Sequence, residues 1–269
     1  MSETGLSSFQ LRVLSAVVLA PFAVSAVYFG DIYFVLFLAL VAVIMGVEWC
    51  RTSFATTPAI YISLTTLWVL IALYSAYEGY VQIAFLSLLL CSSVFFVMTW
   101  FRRGGTEWRG AFVGPLYVGI PVLSLLEIRG SNDMGLELTL SLFFVVWATD
   151  IGAYFSGKTI GGPKIAPSIS PNKTWAGLFG GMAGAAATAV ALDYYMLNLD
   201  VALWVVAVIG TLLAVLAQIG DFCESAWKRH FKIKDASNLI PGHGGVLDRL
   251  DGVLFVAPAL YLIKSLMGI

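Results

Sequence analysis

Phe143-Phe144-Val145-Val146-Trp147-Ala148-Thr149-Asp150-Ile151-Gly152-Ala153-Tyr154 is an apolar run broken by one carboxylate. With its flanks it covers about residues 136–157, and about 20 apolar residues cross a hydrocarbon core of about 30 Å as a helix. Comparable runs lie near 11–29, 32–50, 59–76, 80–100, 110–128, 175–196, 199–221 and 250–268. The composition agrees: 59% of residues are hydrophobic and 12% charged, with a mean hydropathy of +0.90, where soluble domains carry about 25% charge. Lipid tolerates helices but not open strand edges. The expected class is therefore all-α, a polytopic integral membrane helical bundle of about nine transmembrane helices. The longest polar stretches, about 158–174 and 224–249, leave no room for a soluble domain. The chain reads as a single membrane domain over 1–269, with 1–129 an N-terminal helical scaffold and 130–269 a polar-decorated, candidate catalytic half.

Charge location says more than the net charge of −1. With nine spans, the N-terminus and the loops after spans two, four, six and eight share one side, and of the 15 Lys and Arg only Arg129 and Lys264 fall opposite. The opposite loops carry Asp31, Glu78, Glu127, Asp133, Glu137, Asp193 and Asp200. The positive-inside rule then puts the N-terminus and the basic side in the cytoplasm, the arrangement of a multi-pass protein of the inner (plasma) membrane. The first span follows Met1-Ser2-Glu3-Thr4-Gly5 without a small-residue cleavage site and reads as a retained anchor. Cys50, Cys91 and Cys223 are odd in number, widely spaced, and read as free buried thiols. Gly177, Gly180, Gly181 and Gly184 form overlapping small-xxx-small spacings, which let helices approach closely. No nucleic-acid partner is expected; the lipid bilayer is, and a homodimer is allowed.

Four groups of residues carry candidate chemistry. Asp150 lies seven residues before Gly157-Lys158, about 10 Å into the membrane from the cytoplasmic mouth. An intramembrane carboxylate is a functional hypothesis by default, the plain alternative being an interhelical hydrogen bond or ion pair. Next come Lys158-Thr159-Ile160-Gly161-Gly162-Pro163-Lys164 and Ser170-Pro171-Asn172-Lys173-Thr174, with glycines, hydroxyls and lysines suited to phosphate. They lack Walker A order. Ser170, Asn172, Lys173 and Thr174 stand where span seven begins, either as an anion site at a helix N-terminus or as a cap with topology-setting lysines. Asp221 ends span eight with Glu224 three residues on, and Asp248 and Asp251 are likewise three apart at the entrance to span nine. A lone D-x-x-D at a helix start is usually a cap; here Asp221, Asp248 and Asp251 share one membrane face with Lys228, Arg229 and Arg249. Carboxylates with little His suit Mg²⁺, which binds one or two of them plus substrate phosphates. Finally, His243 sits among glycines beside Gly244, touching phosphate or steadying the turn, while His230 reads as interfacial and Glu48-Trp49 with Arg51 as an interface anchor and ion pair.

The stretch Ser225-x-x-Lys228-Arg229-x4-Lys234-Asp235-x-Ser237-x2-Ile240-Pro241-x-His243-Gly244-Gly245-x2-Asp248-Arg249-x-Asp251 resembles the signature of the phosphatidate cytidylyltransferase (CDP-diacylglycerol synthase) family. The Asp150 region and Ser170–Thr174 resemble that family too, and more loosely the CTP-using polyprenol and phytol kinases. The resemblance implies the reaction of CTP with phosphatidic acid to CDP-diacylglycerol and pyrophosphate, in glycerophospholipid biosynthesis. It implies Asp221, Asp248 and Asp251 as ligands of Mg²⁺, one or two cations in all. Lys228, Arg229 and Arg249, with Asp248 and Asp251, would act on the transferring group, and Asp150, Ser170, Asn172, Lys173, Thr174, His243 and Gly244 would seat the nucleotide, on the cytoplasmic face. A CTP-dependent polyprenol or lipid kinase would release CDP instead. An ion-coupled transporter would spread its acids through the bilayer depth, whereas Asp221, Asp248 and Asp251 gather at one face.

Overall fold

The computed structural model describes residues 8–54, 59–103, 107–131 and 134–268. Each expected span falls on a helix: α1 (Ser8–Phe29), α2 (Asp31–Ser53), α3 (Ala59–Tyr77), α4 (Val81–Arg103), α5 (Glu107–Arg129), α6 (Gly135–Thr159), α7 (Trp175–Leu192), α8 (Leu203–His230) and α10 (Val253–Met267), with a single turn α9 (Leu247–Leu250) before the last. A short hairpin, β1 (Lys164–Ala166) with β2 (Ser170–Thr174), lies between α6 and α7. Among the described residues seven helices are long and apolar enough to cross a membrane, and the apolar segments Val13–Phe29 and Val253–Met267 are shorter. The protein is a polytopic, helical membrane protein. Asp133 and the leader Met1–Gly5 lie outside the described residues.

Three expectations about local structure are corrected. Asp221 does not end span eight, because α8 continues to His230. Between Asp221 and His230 there is no Gly or Pro to stop a helix, Glu224 and Lys228 pair one turn apart at 3.2 Å, and Lys228, Arg229 and His230 in the last turn complement the helix dipole. The polar stretch 158–174 is not simply a loop: after left-handed Gly161 and Gly162, Lys164 pairs with Thr174 and Ala166 with Ser170. Span nine begins at Val253, so Asp251 and Gly252 form the turn ahead of it.

The chain divides into two compact units. The first is Met1–Glu127 with Phe231–Leu250. Here the Trp49 indole N–H donates to the Gly110 carbonyl at 2.8 Å, and a Cβ at Gly114 would lie 2.6 Å from the same Nε1. A large ring on α2 thus fits a glycine-lined notch of α5. Phe96 meets Trp108 edge-on at 5.4 Å, joining α4 to α5.

The second unit is Ile128–His230 with Asp251–Ile269. Its centre is the near-contact of α6 and α7 along the glycine row read from the sequence. A Cβ at Gly177, Gly181 or Gly184 would come 2.9, 2.9 or 3.0 Å from the carbonyl oxygens of Ala153, Thr149 and Ala148. In return, one at Gly152 would meet the Gly180 carbonyl at 2.5 Å. Backbones this close gain dispersion contacts that larger residues would forbid. The Thr174 hydroxyl accepts from Gly177 N–H at 3.1 Å, capping α7 where the hairpin ends.

Replacing Gly181 with Leu should force α6 and α7 apart. We expect a loss of about 1–3 kcal/mol, the usual scale of overpacking, seen as a lower unfolding temperature of the detergent-solubilised protein; an unchanged temperature would count against this packing.

Candidate active site

In the second unit the hairpin, α6, α8 and the turn before α10 each deliver a charged group. Lys173, on β2, reaches Asp221 on α8 at 2.5 Å, and its ammonium also lies 4.3 Å from the centre of the Phe222 ring. Asp251 is placed by Gly220, which is packed against the Asp251 carbonyl with no space for a side chain, and by the Gly252 N–H, which donates to its Oδ1 at 2.7 Å. Its carboxyl is pushed up to about 7, by burial first and then by the negative charge of Asp221. The Gly252 N–H opposes this, Asp150 on α6 adds to it, and Lys173 opposes it again. Asp251 therefore responds to the charges of Asp221, Asp150 and Lys173, and Lys173 pairs with Asp221: three carboxylates set against one lysine.

Such a set has an excess of hard oxygen donors. It fits Mg²⁺, which takes one or two protein carboxylates and completes its shell with water and phosphate. Among the described residues no three acidic, His or Cys side chains converge into a ready-made cage, and an ion shared with a substrate asks for less. Lys228, one turn above Glu224, is engaged with that buried acid at 3.2 Å. Arg229 is exposed at the end of α8. On the hairpin, Asn172 is exposed, Ser170 is half-buried in the ladder and Thr174 is committed to the cap.

In the first unit the signature turn closes on itself. Ile240 and Gly244 form an antiparallel bridge, with Ile240 N–H on the Gly244 carbonyl at 2.8 Å, and Gly242 and Gly244 adopt φ of 76° and 89° that L side chains avoid. Asp248 Oδ2 accepts from Ala236 N–H at 2.9 Å and Gly245 N–H at 2.7 Å. Arg249 Nε donates to the His243 carbonyl at 2.9 Å, and His243 Nδ1 lies 2.8 Å from Ser15 Oγ on α1. His243, Gly244, Asp248 and Arg249 are thus gathered within this unit.

Glu48 corrects the sequence reading. It is not an interface anchor: it is 3% exposed on α2, with Oε1 accepting from Ser237 Oγ at 2.6 Å and Val246 N–H at 3.0 Å, and Oε2 from Leu247 N–H at 2.8 Å. The signal was present, since Met45-Gly46-Val47-Glu48-Trp49-Cys50 sets a carboxylate into an apolar run as Asp150 is set into α6.

A helical membrane protein with a carboxylate and lysine cluster and a rigid glycine turn bearing Asp and Arg is of the class that handles phosphate compounds at a bilayer. The chain belongs to the Cytidylyltransferase family, which it matches over residues 10–267. It is similar to the phosphatidate cytidylyltransferase of Brucella suis biovar 1 (strain 1330), with 38% identity over 98% of this chain and 96% of that one. It is also similar to that of Bacillus subtilis (strain 168), 41% identical over 57% of this chain and 56% of the other.

The elevated Asp251 fixes the sign of a pH effect. Between about 4 and about 7 the unfolded chain has lost the proton that the folded state keeps, so stability falls as pH rises through that window. Unfolding temperatures measured from about pH 5 to 8 should decline in the native protein and flatten in Asp251→Asn; parallel curves would show that Asp251 does not titrate there.

Proposed function

We propose that this enzyme transfers the cytidylyl group of CTP to phosphatidate, releasing pyrophosphate and leaving CDP-diacylglycerol in the bilayer for glycerophospholipid synthesis. The observation that carries the proposal is Lys173 held on Asp221 beside Asp251, a charge set suited to polyphosphate at the end of membrane helices. The names and full-length similarity of the Brucella relatives support it. In the reaction a phosphate oxygen of phosphatidate bonds to the α-phosphorus of CTP, and the bond from that phosphorus to the departing pyrophosphate breaks. The attacking oxygen is already anionic near neutral pH, so no side chain need remove a proton.

In this proposal Lys228, Arg229 and Arg249 offset charge on the transferring and departing groups, a role worth more beside low-dielectric walls. Asp150, Lys173, Ser170 and Asn172, all of the second unit, seat the nucleotide, a role that the family resemblance also gives to Thr174, His243 and Gly244. The Gly244 N–H already donates to the Ile240 carbonyl at 3.1 Å, so Gly244 contributes its bare Cα and turn geometry. Asp221 and Asp251 hold Mg²⁺, and Asp150, whose charge acts on Asp251, is the residue assigned to a second cation. Asp248 belongs to the ligand set through the signature, with its Oδ2 held by two N–H groups. Bound there, Mg²⁺ would neutralise charge and let two anions meet. The active face is cytoplasmic in an inner membrane, because CTP is cytosolic and the basic loops fall on that side.

Purified protein given radiolabelled CTP and phosphatidate should form a labelled lipid and pyrophosphate with Mg²⁺, and neither after chelation. Release of CDP in place of pyrophosphate would indicate a lipid kinase. Asp221→Asn should lower turnover by about 100-fold or more with the protein still folded; retention of most activity would remove Asp221 from the ligand set.

A further inference from the structure

We infer that Glu48 is a positioning residue for this reaction: from α2 it holds, through Ser237, Val246 and Leu247, the turn that carries Asp248 and Arg249. The inference rests on the cytidylyl-transfer reading above. It starts from the backbone donors of the turn. The N–H groups of His243 and Gly244 donate to the Ile240 carbonyl at 2.9 and 3.1 Å. That of Gly245 donates to Asp248 Oδ2 at 2.7 Å, and those of Val246 and Leu247 to Glu48 Oε1 and Oε2 at 3.0 and 2.8 Å. Five successive donors are thus satisfied within the protein.

A glycine-rich turn with left-handed residues has the form of an anion nest, which elsewhere wraps phosphate. Here the nested anions are the protein's own carboxylates. The turn therefore has no spare N–H between 243 and 247 to offer a nucleotide, and its contribution is to aim the side chains that follow. Their aim depends on Glu48. Gly245 is packed on the carboxylate so closely that a Cβ would stand 2.7 Å from Oε1, and Ser237 is tied to the same oxygen. Both oxygens of Glu48 are acceptors, and all the groups facing them in these bonds are donors. Gln would turn one oxygen into an NH₂ opposing an N–H, and Asp would fall one methylene short.

The test is kinetic and structural together. Full-length native protein, Glu48→Gln and Ser237→Ala are compared for kcat and KM with CTP and phosphatidate, unfolding temperature, and peptide-level amide exchange over residues 244–250. We expect kcat of Glu48→Gln to fall about tenfold or more, the scale of one charge-assisted hydrogen bond. KM for CTP should shift less than kcat, and exchange over 244–250 should accelerate with little change in unfolding temperature. Ser237→Ala should move kcat and exchange in the same direction by a few-fold, and it decides the matter if Glu48→Gln does not fold. Unchanged exchange, or kcat within about twofold of native in a folded variant, overturns the inference. If the native protein forms no CDP-lipid, the cytidylyl-transfer reading fails instead, while the exchange comparison still tests whether Glu48 holds the turn.

Discussion

A charge carried by a membrane helix has to be answered close by, since the bilayer interior offers no water to do it. The two units meet this demand with different partners. In Met1–Glu127 with Phe231–Leu250, Glu48 is answered by two backbone N–H groups and the Ser237 hydroxyl, and Asp248 Oδ2 by two backbone N–H groups. In Ile128–His230 with Asp251–Ile269, Asp221 is answered by Lys173, and Asp251 by a raised affinity for a proton. The second arrangement is the one that the proposed reaction draws on, since a proton and an ammonium are the partners a cation or a polyphosphate would displace. One unit answers its acids with a rigid turn, and the other answers them with a lysine and a proton.

Close backbone packing positions this second set. Because α6 and α7 touch through Gly152, Gly177, Gly180 and Gly181, the hairpin that links them is anchored at both ends by one rigid pair. Lys173 rides on that hairpin and Asp150 on α6, so the spacing of both relative to each other is set by glycine and not by flexible side chains. Thr174 completes the arrangement by ending the strand and capping α7 in a single residue.

Much of this was legible in the sequence where a property is local. Uninterrupted apolar runs marked the spans because a helix must bury about 20 residues to cross, and the glycine row in span seven declared its packing face through spacing alone. Charge placement pointed to Asp150, Lys173, Asp221 and Asp251; in the structure Lys173 pairs with Asp221, and Asp251 responds to the other three charges. What escaped depended on distance or on weak pattern. The polar end of α8 was read as loop because apolarity ends at Asp221 although helix propensity does not. The hairpin strands, of three and five residues, are too short for alternation to declare them. Glu48 was undervalued because its partners lie nearly two hundred positions away, 198 in the case of Val246.

That separation also orders the protein's birth. Val246 bonds to a residue 198 positions earlier, and His243 to Ser15, 228 positions earlier. Chains emerge N-terminal end first and are made at about 5–20 residues per second, so α1 and α2 leave the ribosome many seconds before their partners exist. The glycine turn is therefore a late arrival, made after the helices that carry Ser15 and Glu48. Until residues 237–247 have been made, the donors that hold Glu48 do not exist, so the aim of Asp248 and Arg249 is set only in the last stage of synthesis.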